Sequence, residues 1–134
     1  MRQFVSYEEE NIHYWTHRAP GYSGVNQEEL ATDQKRVWGR AIGERIAARF
    51  PGRGPESIRV LDVGTGPGFF AIILAQMGYQ VTAVDYTASM LEEGKNNFLC
   101  AVYADSAACG LCLCDISTGE EYATSFPAGA EALD

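Results

Sequence analysis

The sequence predicts an α/β fold, the opening half of a doubly wound parallel sheet that is left incomplete. Three observations carry that expectation. Two short apolar segments, "IRVLDV" (58–63) and "QVTAVD" (80–85), read as strands of a buried parallel sheet. Between them lies "GFFAIILAQM" (68–77), a helix apolar nearly all round, as a covered helix must be. Glycines punctuate both junctions, and strand, helix, strand, helix in this order makes a βαβα unit with a right-handed crossover.

Residues 1–27 read as an irregular arm with a short helical piece around "NIHYWTHRA", halted by Pro20-Gly21. From Gln27 to Phe50 the pattern is helical. Val37, Trp38, Ala41, Ile42, Ile46 and Phe50 form an apolar stripe, and Lys35, Arg36, Arg40, Glu44, Arg45 and Arg49 mostly take the other face. "FPGRGPES" breaks this helix and links it to the first strand. Pro67 stands in the first turn of the apolar helix, where its missing N–H costs nothing, and Gly78 caps the helix end. After the second strand, Thr87 caps a third helix, "ASMLEEGKNN", within which Gly94 costs about 1 kcal/mol relative to Ala. Beyond Asn97 the signal fades. "FLCAVY" and "LCLCDIS" each fit a short strand, and "TGEEYATSFPAGAEALD" resembles a small-residue tail. No internal repeat is present. The organisation is therefore an arm (1–27), a half-domain with its preceding helix (28–97) and an atypical tail (98–134).

A chain of 134 residues, 46% hydrophobic and 21% charged, makes one ordinary globular domain with a real core. No apolar run approaches the roughly 20 residues that cross a bilayer. The N-terminus lacks the basic-then-apolar layout of a secretory signal, so a cytoplasmic, thiol-reducing location is expected. The net charge of −8 argues against nucleic-acid and anionic-membrane partners. That charge is uneven: no Lys or Arg follows Lys95, while Asp105, Asp115, Glu120, Glu121, Glu131 and Asp134 do. All four cysteines, Cys100, Cys109, Cys112 and Cys114, fall in the same stretch.

Candidate chemistry concentrates in "VLDVGTGPGFF". Gly64, Gly66 and Gly68 permit a tight turn beneath a ligand, with loop N–H groups facing the ligand's polar end. Asp85, at the tip of the second strand and 17 residues after Gly68, can accept from two ribose hydroxyls. A dinucleotide site wants Gly-x-Gly-x-x-Gly/Ala, which from Gly64 requires a small residue where Phe69 stands. The actual arrangement, Asp62-x-Gly64-x-Gly66-x-Gly68, makes that site less expected without naming a replacement.

The stretch "VLDVGTGPGFFAIILAQMGYQVTAVDYTASMLEEGKNN" closely resembles the first nucleotide-binding half of the Rossmann-like class I S-adenosylmethionine-dependent methyltransferases. An upstream "YWxxRAxxY" arm, here Tyr14, Trp15, Arg18, Ala19 and Tyr22, makes it most similar to their small-molecule group. The resemblance covers about residues 10–97. It implies S-adenosylmethionine as cofactor and a small molecule as methyl acceptor. Gly64, Thr65, Gly66 and Gly68 would lie against the methionine and ribose portions of the cofactor. Asp62 would orient the loop and face the methionine amino group, Asp85 would bind the ribose hydroxyls, and Tyr86 and Met90 would border the adenine. Tyr14, Arg18 and Tyr22 would close over the methionine end, with Arg18 as carboxylate partner; the alternative for these three is a packing arm. Methyl transfer from a sulfonium asks mainly for alignment, so no catalytic base is named.

Other features carry blander expectations. Cys109-Gly-Leu-Cys112-Leu-Cys114 offers one CxxC without the second pair that structural zinc usually needs, and His13 and His17 lack the Glu of a metalloprotease helix, so no metal is expected. Glu8, Glu9 and Glu10 read as a solvated stretch. "VYADSA" resembles the family's third strand, which would make Asp105 an adenine contact. The loss of basic residues after Lys95 is what a truncated or frame-shifted reading would leave, and equally what a divergent tail would. An incomplete sheet exposes apolar edge and face, so the chain must dimerise, recruit a partner or be marginally stable. The alternatives to a methyltransferase are a non-catalytic fragment keeping the loop and a nicotinamide-dinucleotide binder.

Overall fold

Backbone alternation and helical period build most of the elements where the sequence places them. A computed structural model describes the backbone of residues 4–105 and 109–126 and the side chains of residues 4–98 and 111–121. The elements are α1 (Tyr7–Leu30), α2 (Gln34–Arg49), a 3-10 turn (Pro55–Ser57), β1 (Arg59–Val63), α3 (Phe69–Gln76), β2 (Gln80–Asp85), α4 (Ala88–Asp105), β3 (Cys109–Asp115) and β4 (Glu121–Phe126). The sheet order is β1-β2-β3-β4, with β1, β2 and β3 parallel and β4 antiparallel to β3. The architecture is the expected α/β one, a partial Rossmann-like sheet.

Register sorts the two faces. Val60 pairs with Val81, which pairs with Leu111; Ala83 pairs with Leu113. This face packs on Ala71, Ile72 and Ala75 of α3 and on Leu91 and Phe98 of α4. Burying each large aliphatic or aromatic side chain there contributes about 1.5–3 kcal/mol. The opposite face carries Leu61 and Val63, which are 63% and 70% exposed, beside Thr82 and the half-buried Cys112 and Cys114. β1 therefore differs from the buried strand its sequence predicts. Among the described residues its strand partner lies on one side only, and the described helices cover a single face.

Helix α1 also departs from expectation, running unbroken through Pro20 and past residue 27 to Leu30. A proline inside a helix removes one hydrogen bond and crowds the preceding turn. Packing offsets this: Ala19, Ser23 and Asn26, at helical spacing around Pro20, are all buried. Ser6 caps the start by accepting from the Glu9 N–H at 3.1 Å. The single helix expected over Gln27–Phe50 is instead the end of α1, a turn at 31–33, and α2. The α2 stripe is less covered than predicted, with Val37, Trp38 and Phe50 exposed. Contact with α3 runs through Gly39 and Gly43, where an added Cβ would stand 3.1 Å from Ile73 Cγ2 and 2.8 Å from Met77 Cε.

Pro67 lies just before α3 rather than in its first turn, because Gly68 takes a left-handed conformation (φ 90°) at the N-cap. Gly78 (φ 99°) closes the other end as predicted, its N–H reaching the Ala75 carbonyl at 3.0 Å. Helix α4 starts directly after Thr87 and absorbs "FLCAVY" and Asp105, so neither forms the third strand. That strand is β3, which contains "LCLCD" and ends in Asp115; "EYATSF" forms β4 where a tail was expected.

Candidate functional site

The glycine loop is held from below by its own donors. The Val84 carbonyl accepts from the N–H groups of Gly64 at 2.9 Å and Thr65 at 3.0 Å. Asp85 Oδ2 accepts from the Gly66 N–H and its Oδ1 from the Thr87 N–H, both at 2.9 Å. The Gly68 N–H donates to the Thr65 carbonyl at 3.1 Å, and Pro67 has no N–H. The N–H groups of Gly64, Thr65, Gly66 and Gly68 are therefore engaged within the protein, which corrects the expectation that they face a ligand.

The loop's acceptors behave oppositely. Asp62 Oδ2 and Thr65 Oγ1 are buried without a hydrogen-bond partner among the described residues. Burial pushes the Asp62 carboxyl above the ordinary aspartate value, and the Asp85 carboxylate adds to the rise. The Thr65 hydroxyl opposes it from beside, without reaching hydrogen-bond geometry. Gly64 (φ 73°) and Gly66 (φ 57°) have nothing within 4 Å of an added Cβ, so the loop leaves open space above itself.

That space is a cleft of about 780 Å³, inside the usual range for a small-molecule site. Of the residues singled out from the sequence, Gly64, Gly66, Asp85, Tyr86, Met90 and Tyr22 line it. Asp62, Thr65 and Gly68 belong to the loop without lining the cleft, and Tyr14 and Arg18 lie away from it. The Arg18 guanidinium stacks over the Tyr14 ring at 5.2 Å. Helix α1 instead turns Glu8, Asn11, Ile12 and Trp15 inward, with Tyr22 two turns beyond Trp15. Glu8 stands in the cleft wall while remaining exposed, as are Glu9 and Glu10, in keeping with the solvated stretch read from the sequence. Val63, Thr87 and Ile116 complete the lining, and no Lys or Arg is among these residues.

The remaining motifs sit apart. Cys112 and Cys114 are free thiols on the uncovered sheet face, and burial raises the Cys112 thiol, helped by Glu121 and Cys114. The side chains of Cys100, Cys109 and Asp105 lie outside the described residues. His13 and His17 stack at 4.2 Å, and His17 Nδ1 lies 3.0 Å from the His13 carbonyl. No cluster of three potential metal ligands occurs among the described residues. No described helix is long and apolar enough to cross a membrane.

The glycine loop and the cleft residues from Val63 to Ile116 fall in a segment that known proteins share, whereas the α1 wall lies outside it. Residues 60–118, less than half of the chain, match the family model of a methyltransferase domain. This match supports a class I methyltransferase. A tRNA 5-carboxymethoxyuridine methyltransferase of Escherichia coli K12 is 45% identical over 42 residues, which are 31% of this chain and 16% of that protein. An uncharacterized protein of Haemophilus influenzae is 58% identical over 33 residues, 25% of this chain and 12% of that one. The matched segments thus span small fractions of both relatives. No solved structure matches at the same level of significance.

Proposed function

We propose that the chain is an S-adenosylmethionine-dependent methyltransferase acting on a small-molecule acceptor. One observation carries the choice of cofactor: the glycine-loop donors are engaged internally, while Asp62 Oδ2 and Thr65 Oγ1 are buried without a partner among the described residues. A pyrophosphate is held by backbone donors of such a loop, which here are engaged, and the cleft's described lining supplies no Lys or Arg in their place. A ligand bearing an ammonium group and ribose hydroxyls brings the donors that these oxygens lack.

Bound in such a site, S-adenosylmethionine supplies an already activated sulfonium methyl group. Asp85 retains lone pairs for ribose hydroxyls while holding the loop, and the Asp62 carboxylate favours an ammonium group. Trp15, Tyr22 and Tyr86 give apolar walls that exclude water and orient the ligand, which is the main demand of this chemistry. By its name the Escherichia coli relative acts on tRNA, but its likeness covers 16% of its own length. The net charge of −8 favours a small acceptor over a polyanion. A second reading, a binder without turnover of its own, draws on the bare face of β1. The cytoplasmic location and a second copy covering that face are further parts of the proposal.

Calorimetric titration tests the cofactor. S-adenosylmethionine and its demethylated product should release heat of binding, and a nicotinamide dinucleotide should not; the reverse result overturns the reading. Product release in the presence of a small-molecule pool then separates turnover from binding alone.

A further inference from the structure

The glycine loop and helix α1 share one buried side chain that the cleft does not use. Asn97, on α4, is 2% exposed and touches both. Its Nδ2 donates to the Pro67 carbonyl at 3.1 Å and to Ser23 Oγ at 3.1 Å. Its Oδ1 accepts from Gln27 Nε2 at 2.8 Å. The Pro67 carbonyl can only accept, which fixes the orientation of the carboxamide. Gly94, nearly one turn earlier on α4, brings the helix against the loop: an added Cβ would stand 3.4 Å from the Pro67 carbonyl and 3.5 Å from the Gly66 oxygen. Ser23 and Gln27 belong to the same helix that presents Glu8, Ile12, Trp15 and Tyr22 to the cleft. A satisfied buried network of this kind rigidifies and specifies a single arrangement.

We propose that Asn97 is a positioning residue, a latch that orders the glycine loop and helix α1 as one unit, so that a ligand seated on the loop is felt along α1. The inference rests on the S-adenosylmethionine reading for its ligand. Beyond the α1 residues that line the cleft, ordering of the loop by that ligand would reach Ser23 and Gln27 through Pro67 and Asn97.

Hydrogen exchange on the full chain, with and without S-adenosylmethionine, tests this in the wild type, Asn97→Asp and Ser23→Ala. The first variant sets an acceptor against the Pro67 carbonyl. The second removes one partner and keeps a small helical residue, should the first fail to fold. In the wild type the cofactor should protect the loop and residues of α1 together. In the variants the loop and the cleft-lining turns of α1 should remain protected, the effect around Ser23–Gln27 should vanish, and affinity should fall about tenfold, the scale of one lost buried hydrogen bond. A purely structural role would quicken exchange throughout and leave the cofactor's effect on α1 intact, which overturns the latch. So does a wild type in which only the loop responds. Should the wild type bind no S-adenosylmethionine, the cofactor reading fails and the ligand-free chain decides the latch. Ser23→Ala must then quicken exchange at the loop and around Ser23–Gln27 while leaving the rest of the chain unchanged, and either unchanged loop exchange or quickening throughout refutes it.

Discussion

Replacing Asp85 tests whether the tip carboxylate holds the loop before it holds any ligand. Its two oxygens accept from Gly66 and Thr87 N–H groups, both at 2.9 Å. A hydrogen bond to a charged group contributes about 1.5–3 kcal/mol, and the half-burial of Asp85 places each near the lower end. Asp85→Ala removes both and should cost about 3 kcal/mol. Asp85→Asn keeps one acceptor oxygen and turns an NH₂ group toward the other N–H, for about 1.5–2 kcal/mol. At roughly 4 °C per kcal/mol for a domain of this size, Tm should fall by about 6–8 °C in the Asn variant and about 12 °C in the Ala variant. Urea and thermal unfolding measure the loss, and exchange at the Gly66 amide locates it. An Ala variant within about 0.5 kcal/mol of the wild type, with Gly66 equally protected, would show that the Val84 carbonyl holds the loop unaided.

Four further perturbations follow from the packing and charge. The raised Asp62 carboxyl ionises at a cost in the folded state, a penalty absent below the ordinary aspartate range and fully present above the folded value. Asp62→Asn should therefore stabilise the chain near neutral pH by urea unfolding, with a gain that shrinks as pH falls through the carboxylate range; a pH-independent gain refutes the burial argument. Gly21 and Gly24 in α1 have open space around an added Cβ, so alanine at either should stabilise by about 0.5–1 kcal/mol. Gly39→Ala should lose about 1 kcal/mol net because the buried Ile73 cannot give way, and a gain there would mean that α2 is not seated on α3. If a second copy covers the bare sheet face, Leu61→Lys with Val63→Lys should turn a dimer into a monomer by sedimentation, whereas a monomeric wild type ends that idea.

The centre of the fold was legible because it is written in local terms. Positions 58–85 need only period-two strands, an all-apolar helix and glycines where φ is positive, and each signal is contiguous. Helix α1 was not legible, since Pro20 breaks a helix on local grounds and only the tertiary contact at Ala19, Ser23 and Asn26 restores it. The arm motif misled for the same reason. In a continuous helix Glu8, Ile12, Trp15 and Tyr22 share a face, while Tyr14 and Arg18 are rotated off it and pair with each other. Reading residues 7–30 with a helical period would have found Glu8 and Trp15 and discarded Arg18. "FLCAVY" has strand propensity but continues α4, and β3 emerges from a cysteine-rich run chosen by its pairing with Val81 and Ala83.

The site's electrostatics and its stability pull in opposite directions, and that opposition points to a ligand. A loop selected only to turn from strand to helix gains nothing from a buried carboxylate raised above its ordinary value, or from a buried hydroxyl without a partner. Each unpaired buried polar group costs about 1–3 kcal/mol, against a total stability on the order of 5–15 kcal/mol. Apolar or amide replacements would relieve that cost without disturbing the backbone bonds from Gly64, Thr65 and Gly66 that hold the turn. Such local inconsistencies concentrate at functional sites, where a bound group completes what the protein leaves unmatched. A donor-rich cation would satisfy Asp62 and Thr65 at once and lower the Asp62 carboxyl again. A phosphate would meet two carboxylates in the cleft lining, at Glu8 and Asp85, with no described cation there to receive it. The sign of the charge in this cleft therefore separates the two ligand classes more sharply than the spacing of its glycines.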